Sequence, residues 1–247
     1  MNRYPRLPGE PPERLVYNGL APCPYLPGQT ARFPLRMPTR RLTPAELSRR
    51  LEMGDRRQGV LLYRPACPQC LACEAIRVEV SSFVPSRVQK RIFRRGEVAF
   101  QTEIGVPCMT PERLALYNRH KTERGLVITD ELLDSVGYKH FLVDTCTDTI
   151  ELTYRQGGRL VAVAVADRGA DALSAVYTFF DPDYGRLSPG VYSILKQIAL
   201  CRDWGLRYLY LGLYVADCRA LNYKASYLPH ERRIGGVWQR FDRGSVA

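Results

Sequence analysis

The chain has 247 residues, of which 45% are hydrophobic, and this is enough to bury a core in one large domain or two small ones. Its formal net charge is +11, with 36 Lys and Arg against 25 Asp and Glu. Such a surplus favours a polyanionic partner, although a basic protein with no nucleic-acid role is the alternative. The longest apolar run, residues 160–166, is far shorter than the ~20 residues of a membrane-spanning helix, and the N-terminus lacks the apolar core of a signal peptide. We therefore expect a cytoplasmic protein with no membrane partner and with reduced cysteines.

The first part of the chain predicts little regular structure before one clear helix. Residues 1–41 are rich in Pro, Gly and Arg and predict loops and short extended pieces. A capping box, Thr43-Pro44-Ala45-Glu46, then opens a helix, and Leu42 and Leu47 are placed to form its hydrophobic staple. A second capping box begins at Ser86 and opens a short, very basic helix that is expected to stop near Gly96. Strands are predicted between these helices at residues 61–63 and 75–80.

The second part of the chain alternates strands and helices. Thr110-Pro111 opens a polar helix that runs towards Gly125. Ser188-Pro189-Gly190 caps a later, long helix. Strands are predicted at residues 160–166, 173–180 and 208–214. In the last strand we expect two faces, one formed by Leu209, Leu211 and Leu213 and the other by Tyr208, Tyr210 and Tyr214.

This order of elements predicts an α+β fold. We expect residues 104–247 to form a mixed sheet that carries helices, and residues 14–96 to form a smaller cysteine-bearing domain.

A cysteine cluster lies in the smaller domain. The run Cys67-Pro68-Gln69-Cys70-Leu71-Ala72-Cys73 places three thiols at two-residue gaps, and Cys23 is a remote fourth. Such spacing lets thiolates converge on zinc or on an iron–sulfur cluster, whereas the alternative is a tight turn with structural thiols. The chain has only three His, none of them beside a Cys, so thiol catalysis has little support.

The basic helix carries positive side chains at three- and four-residue steps, which places them on one helical face. This face predicts a stripe that contacts nucleic-acid phosphates, and the alternative is a solvated surface. The mutual repulsion of like charges favours a polyanion. The residues of this basic stripe are Arg87, Lys90, Arg91, Arg94 and Arg95.

Several stretches together resemble one family, the bacterial aspartate/glutamate leucyltransferases, which are related to eukaryotic arginyl-tRNA–protein transferases. The resemblance extends in order over roughly residues 14 to 240. Its main stretches are residues 23–32, 63–73, 85–91, 173–177, 180–182, 193–195, 208–212 and 218–225.

The resemblance implies an N-terminal cysteine-bearing domain and a C-terminal domain like the GCN5-related acetyltransferases. It further implies an aminoacyltransferase that moves leucine from leucyl-tRNA to proteins with an N-terminal Asp or Glu and so marks them for degradation by the N-degron pathway. The chemistry requires no cofactor, and relatives with eukaryotic architecture hold a metal or an iron–sulfur cluster through cysteines. The corresponding ligands here would be Cys23, Cys67, Cys70 and Cys73.

The candidate site residues lie in the matching stretches. Tyr177, Tyr223 and Lys224 are the catalytic candidates, since they carry hydrogen-bond donors for a tetrahedral oxyanion, and core packing is the alternative for Tyr177. The backbone amides near Gly190 begin a helix and could hold the 3′ phosphates of tRNA, or could be an ordinary helix start. Candidates for binding tRNA or an acidic N-terminus are Arg87, Gln89, Lys90 and Arg91, of which Arg87 and Arg91 are the expected carboxylate ligands.

Three other functions compete with this interpretation. An arginyl-tRNA–protein transferase would use the same acceptors. The bacterial-type length and the abbreviated cysteine pattern favour leucyl, and physical reasoning alone does not separate the two donors. A non-catalytic RNA-binding zinc protein would use only the cysteine cluster and the basic helix. An acetyl-CoA-dependent acetyltransferase would need a Gly-rich pyrophosphate loop before the long helix, which residues 185–190 lack.

Overall fold

The computed structural model describes residues 5–125 and 132–244, so the ends of the predicted 1–41 and 104–247 ranges lie outside the described residues. Its N-terminal part contains a five-stranded sheet in the order β1-β2-β5-β7-β6 and a separate β3–β4 pair. The bounds of these strands are β1 Arg6–Leu7, β2 Glu13–Tyr17, β3 Leu20–Pro22, β4 Thr30–Arg32, β5 Leu35–Pro38, β6 Arg56–Gln58 and β7 Leu61–Tyr63.

Helix α1 (Pro44–Glu52) follows the predicted capping box. The Glu46 amide donates to the Thr43 hydroxyl at 3.3 Å, and the Thr43 amide donates to the Glu46 carboxylate at 2.8 Å. Leu42 and Leu47 are both buried, as a hydrophobic staple requires. They join Leu62 in a cluster with Tyr208 and Tyr210, so this helix packs the N-terminal part against the larger sheet.

The larger sheet has eight strands in the order β15-β14-β8-β13-β12-β11-β10-β9. Every pair is antiparallel except β12–β13, which is parallel. The bounds are β8 Glu74–Glu79, β9 Gln101–Gly105, β10 Thr149–Gln156, β11 Arg159–Arg168, β12 Ala172–Phe180, β13 Tyr208–Tyr214, β14 His230–Ile234 and β15 Val237–Phe241.

Helices cover both faces of this sheet. On β11, Ala162 and Ala164 belong to the core beneath one pair of helices, whereas Val163 and Val165 belong to the core beneath the other pair. Burial on both faces explains why this strand appears in the sequence as a continuous apolar run. The first pair is α2 (Arg87–Ala99) with α5 (Pro189–Asp203), and the second is α3 (Pro111–Glu123) with α4 (Ser135–Tyr138).

The two helices of the first pair, α2 and α5, are in close contact. A Cβ added to Gly96 of α2 would lie 2.6 Å from Cγ of Tyr192 on α5, so only glycine permits this approach.

Short helical segments complete the described chain. They are residues 139–143, residues 182–187, α6 (Arg219–Asn222) and residues 223–226. Within the described ranges, no helix is both long enough and apolar enough to cross a membrane.

The architecture confirms the predicted α+β fold with a mixed sheet, and it differs from the sequence prediction in several details. Helix α2 continues to Ala99, past the expected end at Gly96. Helix α4 and strands β6, β9, β10, β14 and β15 were not predicted. Tyr214 packs with Leu209 and Leu211 rather than with the other tyrosines, because a bulge in β13 reverses the alternation of its side chains. The division into residues 14–96 and 104–247 stays a prediction, and β8 joins the two ranges in one sheet.

Candidate functional site

The parallel strands β12 and β13 separate shortly after they begin. They pair only at Ala172 with Tyr208, Leu173 with Leu209 and Ser174 with Tyr210. Beyond these pairs the two described strands diverge, and β12 continues to Phe180 while β13 continues to Tyr214. We call the opening between residues 175–180 and residues 211–214 the strand gap. It exposes the edges of two strands inside an otherwise continuous sheet.

Each wall of the strand gap contains a β-bulge at its inner end. On β12 the register against β11 shifts so that Val176 is the extra residue between Ala175 and Tyr177. On β13 the register against β8 shifts so that Leu211 is extra between Tyr210 and Gly212. A bulge disrupts the regular hydrogen-bond ladder and re-aims backbone and side chains, and bulges are frequent beside active sites. The gap is therefore a place where a substrate carbonyl can meet main-chain groups.

Tyr177 lies on the β12 wall inside an aromatic cluster. Its ring centroid is 5.7 Å from that of Tyr117 on α3 and 5.3 Å from that of Phe141. Desolvation raises the pKa of the Tyr177 phenol, and the neighbouring Tyr117 acts in the same direction. The hydroxyl thus stays protonated at neutral pH and can donate a hydrogen bond.

Arg124, at the C-terminal end of α3, connects the other residues at the mouth of the gap. Its Cζ lies 4.9 Å from the ring centroid of Phe180. Desolvation raises the pKa of both Tyr177 and Tyr223, and the positive charge of Arg124 acts in the opposite direction on both. Tyr223 is 47% exposed at this mouth. Both tyrosines therefore lie within electrostatic range of Arg124.

Gly190 lies at the same end of the strand gap. A Cβ added to it would be 3.4 Å from Cε1 of Phe180. Ser188, which precedes α5, has a left-handed φ of 54° and makes no side-chain capping hydrogen bond. The N-cap side chain therefore leaves the first amides of α5 uncapped, close to the Phe180 ring.

Lys224 follows Tyr223 but points deeper into the protein. Its Nζ donates to the Leu213 carbonyl oxygen on β13 at 2.7 Å, and the residue is buried. Desolvation, followed by the positive charge of Arg56, lowers the pKa of Lys224 to about 7. A substantial fraction of this amine is therefore neutral at physiological pH.

Arg56 on β6 spans the inner end of the gap, and sequence reasoning did not find it. Its Nη2 donates to the Ala175 carbonyl oxygen on β12 at 3.3 Å. A Cβ on Gly212 of β13 would lie 2.6 Å from the Arg56 Cζ, so the guanidinium contacts both walls. Nothing in the local sequence distinguishes this arginine from the others among the 36 basic residues.

The basic stripe is exposed along α2, and its members make no ion pair with an acidic residue of the described chain. Gln89 lies on the same helix but is buried. Its Oε1 accepts from the Ser86 amide at 2.8 Å, and its Nε2 donates to the Ser226 carbonyl oxygen at 3.3 Å. Gln89 thus anchors the start of α2 to residues 223–226, beside the gap. Arg87, Lys90 and Arg91 remain on the outer surface.

The four candidate thiols lie near one another without forming a ready metal site. Desolvation raises the pKa of Cys73 to about 12, with further contributions from Cys67, Cys23 and Cys70. Thiols are suitable donors for zinc or iron. Among the described residues, however, no three His, Cys, Asp or Glu side chains are grouped closely enough to hold a metal ion. Metal binding at this cluster stays a prediction.

Comparisons with known proteins agree with the resemblance. Two family profiles match, the N terminus of arginine-tRNA-protein transferase at residues 21–91 and its C terminus at residues 112–234. An aspartate/glutamate leucyltransferase of Chromobacterium violaceum is 37% identical over 90% of this chain and 92% of its own length. One from Acinetobacter baumannii is 38% identical over 90% of this chain and 82% of its own. Among solved structures, the ribosomal-protein-S18-alanine N-acetyltransferase of Escherichia coli matches with 15% identity and a TM-score of 0.32, over 43% of this chain and 63% of that one. The chain therefore belongs to the arginine-tRNA-protein transferase family, together with the aspartate/glutamate leucyltransferases, and it is an aminoacyltransferase.

Proposed function

We propose that this protein transfers leucine from leucyl-tRNA to the N-terminal amine of proteins that begin with Asp or Glu. Its relatives are named as aspartate/glutamate leucyltransferases, which supports both the donor and the acceptors. The transfer would mark its targets for degradation by the N-degron pathway in the cytoplasm. The alternative donor is arginyl-tRNA, because the matching family profiles carry that name.

The observation that carries the proposal is the position of the basic stripe relative to the strand gap. The stripe runs from Arg87 to Arg95, which is about 12 Å along a helix. Its N-terminal end is anchored to residues 223–226 through the Gln89 side chain. A tRNA whose phosphates follow this stripe would bring its 3′ end towards the gap, where Tyr177, Tyr223 and Gly190 lie.

The reaction is aminolysis of an activated ester. The α-amine of the acceptor attacks the aminoacyl carbonyl carbon, a C–N bond forms, and the C–O bond to the tRNA ribose breaks. The proton lost by the amine ends on the ribose oxygen of the leaving tRNA. An N-terminal amine has a pKa of about 7.7–8.0, so on the order of a tenth of it is neutral at pH 7. Holding amine and ester together can therefore supply much of the acceleration, up to roughly 7–11 kcal/mol of the barrier.

The remaining tasks fall to the residues at the gap. The Tyr177 and Tyr223 hydroxyls keep their protons at neutral pH and can donate to the developing oxyanion. Lys224, with a pKa near 7, can accept the proton that the attacking amine loses and return it to the leaving oxygen. The uncapped amides at the start of α5 are suited to the terminal phosphates of the tRNA.

The proposal is tested by offering peptides that begin with Asp, Glu, Asn, Lys and Ala with leucyl-, arginyl- and phenylalanyl-tRNA. We expect labelled leucine on the Asp and Glu peptides. Arginine on those peptides would assign the alternative donor, and transfer to Lys would assign basic acceptors instead. Tyr177→Phe and Tyr223→Phe should lower kcat with little change in tRNA binding. Binding of tRNA without transfer in any combination would favour a non-catalytic RNA-binding protein.

A further inference from the structure

The inner end of the strand gap contains a positive charge with which no described acidic residue pairs. Arg56 is half-buried, and its Nε and Nη1 are buried without a hydrogen-bond partner among the described residues. The guanidinium makes one hydrogen bond, from Nη2 to the Ala175 carbonyl oxygen, and no ion pair with a described acidic residue. Buried charged groups are normally paired, because leaving one unpaired costs free energy.

Arg57, the next residue on β6, has the ion pair that is typical of a structural arginine and that Arg56 lacks among the described residues. Arg57 Nε lies 2.7 Å from Asp167 Oδ2, and both side chains are almost fully buried. Arg57 also donates to the Gly59 carbonyl oxygen at 2.9 Å. Two adjacent arginines therefore point to opposite sides of β6, and of the two only Arg57 has a carboxylate partner within the described part of the chain. The missing partner of Arg56 has to come from outside the described chain if it exists.

The groups around Arg56 are suited to a small anionic group next to a reactive amine. Lys224 is close enough for the charge of Arg56 to lower its pKa. Burial and the nearby Tyr63 raise the pKa of the Tyr25 phenol, and the charge of Arg56 acts to lower it. Neither neighbour brings a negative charge at neutral pH. The Cys73 and Cys218 thiols also lie near these side chains. No described carboxylate pairs with the Arg56 guanidinium, so its charge is suited to an anion.

The guanidinium also lies between the two walls of the strand gap. It contacts Ala175 on one wall of the gap and Gly212 on the other, directly beside the two bulges. Gly212 has a φ of +95°, and any larger residue there would collide with Arg56. The close approach of backbone and guanidinium thus depends on glycine at this position. Planar guanidinium groups bind carboxylates through two parallel hydrogen bonds, which gives both affinity and geometric specificity.

We propose that Arg56 binds the side-chain carboxylate of the acceptor's N-terminal Asp or Glu and thereby determines acceptor specificity. This rests on the proposed function, because it assumes that the strand gap receives the acceptor. Binding the carboxylate at Arg56 places the α-amine three bonds from the carboxylate carbon in Asp and four bonds in Glu, which keeps it in the gap near Lys224 and the tyrosine hydroxyls. Arg87 and Arg91, which the sequence suggested for this role, lie on the outer surface of α2 and are left for the tRNA.

The test compares Asp with its uncharged isostere Asn. In the wild-type protein we expect kcat/KM for leucyl transfer to an Asp peptide to exceed that for the matched Asn peptide by about ten- to a hundredfold. Arg56→Gln should remove this preference, because transfer to Asp falls much more than transfer to Asn. Any change in the pKa of Lys224 acts on both peptides alike and cancels in the ratio of the two kcat/KM values. Arg56→Lys keeps the positive charge but loses the two parallel donors of the guanidinium, so it should retain part of the preference for Asp. Arg6→Gln, at an exposed position on β1, is the matched control, and melting temperatures verify folding.

Two results would overturn the inference while leaving the proposed function intact. An Asp preference that survives in a folded Arg56→Gln variant would place the carboxylate elsewhere, with Arg87 and Arg91 next to be tested. An equal loss of transfer to Asp and to Asn would assign Arg56 a structural role. If the wild-type protein transfers no amino acid, calorimetric binding of the two peptides decides the question separately. Tighter binding of Asp that Arg56→Gln abolishes would support the site, and equal binding of both peptides would reject it.

Discussion

Burial of the Lys224 amine should make the protein more stable as the pH rises, whereas burial of its thiols acts in the opposite direction. The amine is buried at the strand gap, and its pKa falls from 10.5 to about 7 because it is desolvated and lies near Arg56. Between pH 7 and pH 10.5 the Lys224 amine is protonated in the unfolded chain and mostly neutral in the folded protein. The free energy of unfolding therefore rises with pH through this window.

The magnitude follows from the two pKa values. The difference between 10.5 and about 7 corresponds to roughly 5 kcal/mol of destabilisation, which is present in full below pH 7 and is relieved by pH 10.5. From pH 7 to pH 9 the linkage relation gives an increase of about 2 kcal/mol in the unfolding free energy. Lys224→Met removes the titrating group and with it this increase, although it also leaves the Leu213 carbonyl oxygen without its donor.

Other groups titrate in the same range, so the comparison has to be a difference between two proteins. Burial raises the pKa of the Cys146 and Cys201 thiols to about 11 and about 12. In the unfolded chain these thiols lose their protons near pH 9, whereas in the folded protein they keep them. The free energy of unfolding therefore falls as the pH rises above about 9. This background is common to the wild type and the variant and cancels when one curve is subtracted from the other.

The assay is urea unfolding of the wild type and of Lys224→Met at pH 6, 7, 8 and 9. We expect the wild type to gain about 2 kcal/mol relative to the variant between pH 7 and pH 9. Lys90→Met, which removes an exposed amine from α2, controls for the loss of one charge. Parallel curves for the wild type and Lys224→Met would refute the argument, since they would mean that the folded protein keeps the Lys224 amine protonated.

Four further predictions concern the stripe, the helix contact, a buried ion pair and the thiols. The triple variant Arg87→Ala, Arg91→Ala, Arg94→Ala should reduce the slope of log affinity for tRNA against log salt by about three, and an unchanged slope in the folded variant would assign the stripe to solvent. Gly96→Ala should destabilise by roughly 1–3 kcal/mol because its Cβ meets the Tyr192 ring, whereas Gly105→Ala meets nothing and should be nearly neutral in thermal melting. Arg57→Gln should cost roughly 3–5 kcal/mol in urea unfolding by leaving buried Asp167 unpaired, against at most ~1 kcal/mol for Arg155→Gln at the exposed pair with Glu112. Anaerobically purified protein should contain stoichiometric zinc or iron that Cys67→Ser with Cys70→Ser removes, and metal analysis that finds only traces would leave these thiols structural.

Local signals in the sequence predicted most of the elements that surround the site. The capping boxes at Thr43 and Ser86 give the observed starts of α1 and α2, because a cap is encoded within four residues. The apolar run of residues 160–166 gives β11, because both of its faces are buried. Strand β9 was missed since its residues are mostly exposed at the sheet edge and carry little alternation.

The catalytic candidates Tyr177, Tyr223 and Lys224 were named from the stretches that match the family, and their catalytic roles stay predictions. Arg56 was not predictable, because its position depends on the docking of the N-terminal sheet against the larger one and not on any pattern around it. The face of Tyr214 was predicted wrongly for a related reason, since the bulge at Leu211 depends on pairing with β8.

The place of β8 in the larger sheet has a consequence for how the protein is made. This strand ends at Glu79, yet its two neighbours, β13 and β14, begin at Tyr208 and His230. During synthesis both edges of β8 must therefore wait until more than a hundred later residues have left the ribosome. Contacts between such distant segments slow folding, and an unpaired strand of this kind invites aggregation. We expect nascent chains that stop before residue 208 to depend on chaperones, and the sheet to form as one of the last events of synthesis.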